Sequence, residues 1–138
     1  MRIAVIEDEA PIREGMSKIL KKINENYELV GKAENGKKGL ELIRQENPDL
    51  VILDIRMPDM DGLTMLSIVR EEGIECKAIV LSAYSDFAYA QRAIELGIEN
   101  YLLKPIKIAE LKKALEQAEA NIPKNRARSS CSAWNISF

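Results

Sequence analysis

Leu50-Val51-Ile52-Leu53-Asp54-Ile55-Arg56-Met57-Pro58-Asp59-Met60-Asp61-Gly62 is the stretch from which the fold can be read. A short apolar run ends abruptly in an aspartate and gives way to a loop of proline, aspartate and glycine, the pattern of a buried parallel strand emptying into a functional turn. Asp54 then stands at the carboxyl end of the strand. In open α/β sheets that edge binds ligands, because the loops there vary over a rigid scaffold. Aspartate is also a favoured turn residue. A turn cap and a functional carboxylate therefore both remain open at Asp54 until the other acids are located.

Upstream, Arg2 to Ile6 is a compact apolar strand that stops at Glu7-Asp8-Glu9. Pro11 follows where the first turn of a helix tolerates it, and Ile12, Met16, Ile19, Leu20 and Ile23 repeat with helical spacing. Tyr27 to Ala33 reads as a weaker strand, and Asn35-Gly36 can cap a helix carrying Leu40 and Ile43 that ends before Pro48. Downstream, Leu63, Leu66 and Val69 mark a third helix, closed near Gly73. Ala78 to Ser82 is a second fully apolar strand. Ser85 can cap a fourth helix through Ala90, Ala93 and Ile94 to Gly97. Tyr101 to Leu103 is the fifth strand, followed by Lys104-Pro105. Ile108, Leu111, Leu115 and Ala118 define the last helix, whose start at Lys107 lacks a good cap. Five strands alternating with five helices predict an α/β fold, a parallel sheet covered on both faces with right-handed crossovers.

With 138 residues, 46% of them hydrophobic, the chain can bury one good core and reads as one domain over residues 1–122. From Pro123 the periodicity ceases. Lys124, Arg126 and Arg128 precede a Ser-rich end with Trp134 and Phe138, so 123–138 reads as a linker stub or an appended tail without regular structure. A formal net charge of -2 argues against phosphate neutralisation and direct nucleic-acid binding by this domain. Cys76 and Cys131 show no metal-ligand spacing and read as reduced thiols, which predicts a cytoplasmic location. The chain starts directly in a strand with no cleavable leader. No apolar run approaches the roughly 20 residues that span a bilayer. Histidine is absent, which excludes Ser-His-Asp or Cys-His catalysis, imidazole zinc sites and phosphohistidine on this chain. Carboxylates, lysine and hydroxyls must carry any chemistry.

The strand ends carry those groups: Glu7 and Asp8 after the first, Asp54 after the third, Ser82 and Lys104 after the fourth and fifth. If the first strand neighbours the third, as in a doubly wound order, the acids meet at one crevice. Crowded carboxylates raise one another's pKa or recruit a cation. An oxygen-ligand site that keeps water positions suits Mg²⁺. A hydroxyl at Ser82 and a point charge at Lys104 suit the oxygens of a transferring phosphoryl group. Taken singly, Glu7 can be solvated, Ser82 can cap a turn and Lys104 can pair on the surface.

Taken together, these motifs resemble the receiver domain of two-component response regulators, a CheY-like family, over Met1 to about Asn121. Glu7-Asp8 resembles the family's acidic pair, Asp54 its phosphoacceptor and Met57-Pro58-Asp59-Met60-Asp61-Gly62 its loop. Ser82-Ala83 resembles the switch hydroxyl with its small neighbour, Tyr101 the switch aromatic, and Lys104-Pro105 the lysine with its cis proline. Ser85-Asp86-Phe87-Ala88-Tyr89-Ala90 is similar to receivers attached to AraC-type DNA-binding output domains, so an output domain is expected outside this chain.

The resemblance implies a flavodoxin-like strand order, 2-1-3-4-5. It implies that Asp54 attacks the phosphohistidine of a sensor histidine kinase. Mg²⁺ would be held by Asp8, Asp54 and the backbone carbonyl of Arg56, with Glu7 acting through water. Lys104 and Ser82 would bind the phosphoryl oxygens, and Tyr101 would occupy the space that Ser82 vacates, reshaping the face of the fourth helix, fifth strand and fifth helix. Phosphorylation would promote a homodimer through that face. By the family pattern Arg56 and Tyr84 overhang the phosphoryl group. Two other classes use some of the same residues, a Mg²⁺-dependent phosphatase or nuclease and a flavodoxin-like interaction module that is never phosphorylated. The first usually needs an acid two residues beyond its nucleophile, where this chain has Arg56.

Overall fold

The computed structural model describes residues 1–123. The predicted tail therefore lies outside the described residues, apart from Pro123. In chain order the elements are β1 (Arg2–Ile6), α1 (Ala10–Ile23), β2 (Glu28–Ala33), α2 (Gly36–Glu46), β3 (Leu50–Leu53), α3 (Gly62–Glu71), β4 (Lys77–Ser82), α4 (Phe87–Glu95), β5 (Asn100–Leu103) and α5 (Ile108–Ala120). The five strands pair in parallel in the order β2-β1-β3-β4-β5. That is the predicted doubly wound sheet.

Alternation along the strands divides the core in two. Ala4, Ile6, Val51, Leu53, Ala78 and Val80 pack with Leu40, Ile43, Leu63, Leu66, Val69 and Ala93, so α2, α3 and α4 cover one face. Ile3, Val5, Leu50, Ile52, Ile79 and Leu81 pack with Met16, Leu20, Leu111 and Leu115, so α1 and α5 cover the other. The central strand β3 is apolar at every position because both of its faces are buried. Tyr27 closes the second layer from just outside β2. Its buried hydroxyl donates to Glu119 Oε1 (3.2 Å), and burial together with the Glu119 charge pushes its pKa up to about 12.

Helix starts follow capping chemistry. Lys38 N–H donates to the Asn35 side chain (2.8 Å), and Thr64 N–H donates to Asp61 Oδ1 (2.7 Å). The cap of α4 is Asp86 rather than the predicted Ser85, with Ala88 N–H donating to Asp86 Oδ1 (2.8 Å). Serine and aspartate cap almost equally well, so two adjacent candidates differ only in where the chain turns. Along α4, Ala93 is buried against the sheet and Ile94 is 71% exposed.

Candidate functional site

Strand register brings the polar groups to one edge. Ile6 pairs with Leu53, so Glu7 and Asp54 leave adjacent strands side by side. Ser82 pairs with Leu103, so Lys104 emerges one residue beyond Ser82, and its N–H donates to the Ser82 carbonyl (2.8 Å). The Lys104–Pro105 peptide bond is cis. From this corner the Lys104 ammonium reaches across the sheet to Asp54 Oδ2, Glu7 Oε1 and Glu9 Oε1, each at 2.9 Å.

The β3–α3 loop completes the cradle. A Cβ at Gly62 would stand 2.0 Å from the Asp54 carbonyl oxygen, so only glycine lets α3 begin against the end of β3. Gly62 N–H donates to the Ile55 carbonyl (2.7 Å), and Asp59 takes a left-handed conformation (φ 70°) that reverses the loop. Ile55 N–H donates to Asp54 Oδ1 (2.7 Å), which fixes the carboxylate while Oδ2 faces Lys104.

Electrostatics in this cradle are tense. Glu7 is almost wholly buried, and burial pushes its carboxyl up to about 7; the Lys104 hydrogen bond pulls the other way, and the Asp54 charge adds to the rise. For Lys104, burial works against the charged form, but hydrogen bonds to Asp54, Glu9 and Glu7 outweigh it and raise the pKa. Carboxylate oxygens of Glu7, Glu9 and Asp54 lie within 4.8 Å of one another. An all-oxygen donor set with a surplus of negative charge, one member of it held from ionising by burial, fits a hard divalent cation such as Mg²⁺.

Of the sequence-predicted residues, Glu7, Asp54 and Lys104 touch one another. Asp8 is exposed and stands outside that contact, beside it in the chain. Ser82 is fully buried, its hydroxyl accepting from Tyr84 N–H (3.0 Å). Tyr101 is half-buried and its hydroxyl donates to the Tyr84 carbonyl (2.8 Å), so both expected switch side chains hold the backbone of one loop residue. The Arg56 guanidinium lies 4.7 Å from the centroid of the Tyr84 ring, which meets Tyr89 edge-on at 6.4 Å.

Two residues escaped the sequence reading. Glu9 joins the cluster from the mouth of the crevice. Arg13 donates from one guanidinium nitrogen to the Glu7 carbonyl (2.8 Å) and the Asp8 carbonyl (3.3 Å), fixing the acidic loop from the first turn of α1. The signal for Arg13 was its place four residues after Glu9, where a helix beginning at Ala10 turns it back over the loop.

The arrangement is a cluster of three carboxylates around one ammonium at the carboxyl edge of the sheet. Residues 3–116 match the family described as the response regulator receiver domain, and the chain belongs to that family. It is 36% identical over 110 residues to the transcriptional regulatory protein HptR of Staphylococcus aureus, covering 80% of this chain and 43% of that one. It is also 36% identical over 121 residues to the transcriptional regulatory protein YesN of Bacillus subtilis, covering 88% of this chain and 33% of that one. Among solved structures, the REC domain of the response regulator AraT from Geobacillus stearothermophilus superposes with a TM-score of 0.76 at 38% identity, over 86% of this chain and 93% of that one. The chain thus spans between a third and half the length of the curated relatives it matches. No helix among the described residues is long and apolar enough to cross a membrane.

Proposed function

We propose that Asp54 is the phosphoacceptor of this receiver domain and that its donor is the phosphohistidine of a sensor histidine kinase. A carboxylate oxygen of Asp54 attacks phosphorus, the P–N bond breaks, its electron pair returns to the imidazole, and an aspartyl phosphate remains. The single observation that carries this is the 2.9 Å contact between Lys104 Nζ and a nearly buried Asp54 at the end of the central strand. It keeps an ionised nucleophile beside the cation that will meet the incoming oxygens. Asp8 and Asp54, with the Arg56 carbonyl, would hold Mg²⁺ directly and Glu7 through water. Bound there, the ion supplies the charge that lets an anionic donor approach an acidic crevice.

Once the phosphoryl group is in place, Lys104 and Ser82 bind its oxygens. Ser82 moves to reach them, and because its hydroxyl accepts from Tyr84 N–H while Tyr101 donates to the carbonyl of the same residue, the β4–α4 loop shifts with it and carries α4. Phosphorylation is a population shift between two packings of this face. The reactions of the domain are Mg²⁺-dependent self-phosphorylation and slow self-dephosphorylation, without turnover of a separate substrate. A DNA-binding output domain, AraC-type by the Ser85–Ala90 motif, makes the nucleic-acid contact, in keeping with relatives named as transcriptional regulatory proteins. Two-component relay of this kind operates in the cytoplasm. Intact mass after incubation with a small phosphodonor and Mg²⁺ tests the proposal: one acid-stable, base-labile phosphoryl group in the parent and none in Asp54→Ala. Undiminished modification of Asp54→Ala would remove Asp54 from this role.

A further inference from the structure

Glu9 plays no part in the chemistry proposed above, yet it is one of the three carboxylates on Lys104. An ammonium has three N–H donors. With Asp54, Glu7 and Glu9 each at 2.9 Å, all three are committed, and an arriving phosphoryl oxygen can be bound only if one partner leaves. Asp54 must stay in place as the nucleophile until its bond to phosphorus forms, so it is not the partner that leaves as the donor arrives. Glu7 is nearly buried, so releasing it would strand a carboxylate away from water. The Glu9 side chain is 59% exposed and returns to solvent at little cost. Its aim is also particular. Glu9 occupies the cap position of α1, yet its side chain makes no capping hydrogen bond and goes to Lys104 instead.

We propose that Glu9 is a placeholder: in the resting state it occupies the Lys104 N–H that the phosphoryl group later takes, and so sets how readily the site engages that group. It is a positioning residue acting through Lys104, and its role rests on the receiver reading of Asp54. The probe is beryllofluoride with Mg²⁺, titrated by fluorine NMR into the parent, Glu9→Gln and Glu9→Asp. Removing the charge should tighten binding about two- to fivefold, the range of an exposed charge pair. Glu9→Asp, one methylene shorter, should fall between. With a small phosphodonor the half-saturating concentration should drop by the same factor while the rate at saturation stays unchanged. A loss of fold alone would weaken binding rather than tighten it. The gain should survive about 1 M salt, where the screening length is near 3 Å. Parental affinity in Glu9→Gln, or a gain that vanishes in salt, would overturn the placeholder while leaving Asp54 as acceptor. Failure of the parent itself to bind beryllofluoride would overturn both.

Discussion

Burial holds the Glu7 carboxyl up at about 7 although Lys104 stands 2.9 Å away, and folded stability should record that. A carboxyl whose folded pKa lies above its ordinary value of 4.5 contributes stability that is fully present below that value and is lost as pH rises through 7. Salt bridges hold Glu14, Glu34 and Glu72 low, to Lys32, Lys38 and Arg44 respectively, so whatever they contribute is complete by pH 5. No histidine titrates in the interval. Urea unfolding without metal should therefore give a stability that falls from pH 5 to 8, and saturating Mg²⁺ should flatten the slope by favouring the ionised form; a metal-free stability that rises over this interval would contradict the assignment. Arg56 and Tyr84 carry a second expectation. Their side chains stack on each other, by the family pattern beside the phosphoryl group, and neither is a carboxylate or amide that would orient an attacking water, so self-dephosphorylation should be slow. Arg56→Asn with Tyr84→Glu should release phosphate about tenfold faster, equivalent to roughly 1.4 kcal/mol of barrier. Phosphate loss at the parent rate would show that this pair does not control water. At this scale Glu7, Asp54 and Lys104 were legible because each ends a strand. Glu9 was not, since the side chain of a cap residue can fold onto its helix or away from it, and residue type does not decide which.

Among the elements, α5 begins at Lys107 with no side chain on its exposed N–H groups, while α2, α3 and α4 each have one. Lys107→Asp should supply the missing acceptor and a charge that suits the helix dipole, adding about 1 kcal/mol of stability. The urea midpoint should rise with beryllofluoride affinity unchanged, whereas an unchanged midpoint would mean that solvent already satisfies those groups. The weak start at Lys107 was visible in the sequence, as were all ten elements, because apolar periodicity and turn residues agree along the chain. What remained hidden lies at α4. A nine-residue helix with a single buried residue, Ala93, leaves almost no periodic signal to fix its position, and so the cap at Ser85 was misread by one residue. Part of its attachment is polar: Arg70 donates to the Leu96 carbonyl at its end (2.9 Å) and Arg92 donates to Thr64 Oγ1 on α3 (3.1 Å). A helix held in this way moves more readily than one packed into the core.

For the whole molecule, that mobility sits beneath an apolar surface. Phe87 is 78% exposed and Ile94 71%, seven residues apart and so on one face of α4. Activation should bring two such faces together as a two-fold dimer. Sedimentation with beryllofluoride and Mg²⁺ should show the dimer, and Phe87→Ser with Ile94→Ser should abolish it without loss of beryllofluoride binding. An activated protein that stays monomeric at high concentration would assign this face to the output domain instead. The switching proposed for this domain depends on a covalent phosphoryl group on Asp54. Borohydride reduction of the phosphorylated protein converts an aspartyl phosphate into homoserine at the residue that carried it, and peptide mass spectrometry then locates the change. Homoserine at position 54 alone is the predicted result; homoserine at another acid of the crevice, with Asp54 intact, would contradict it.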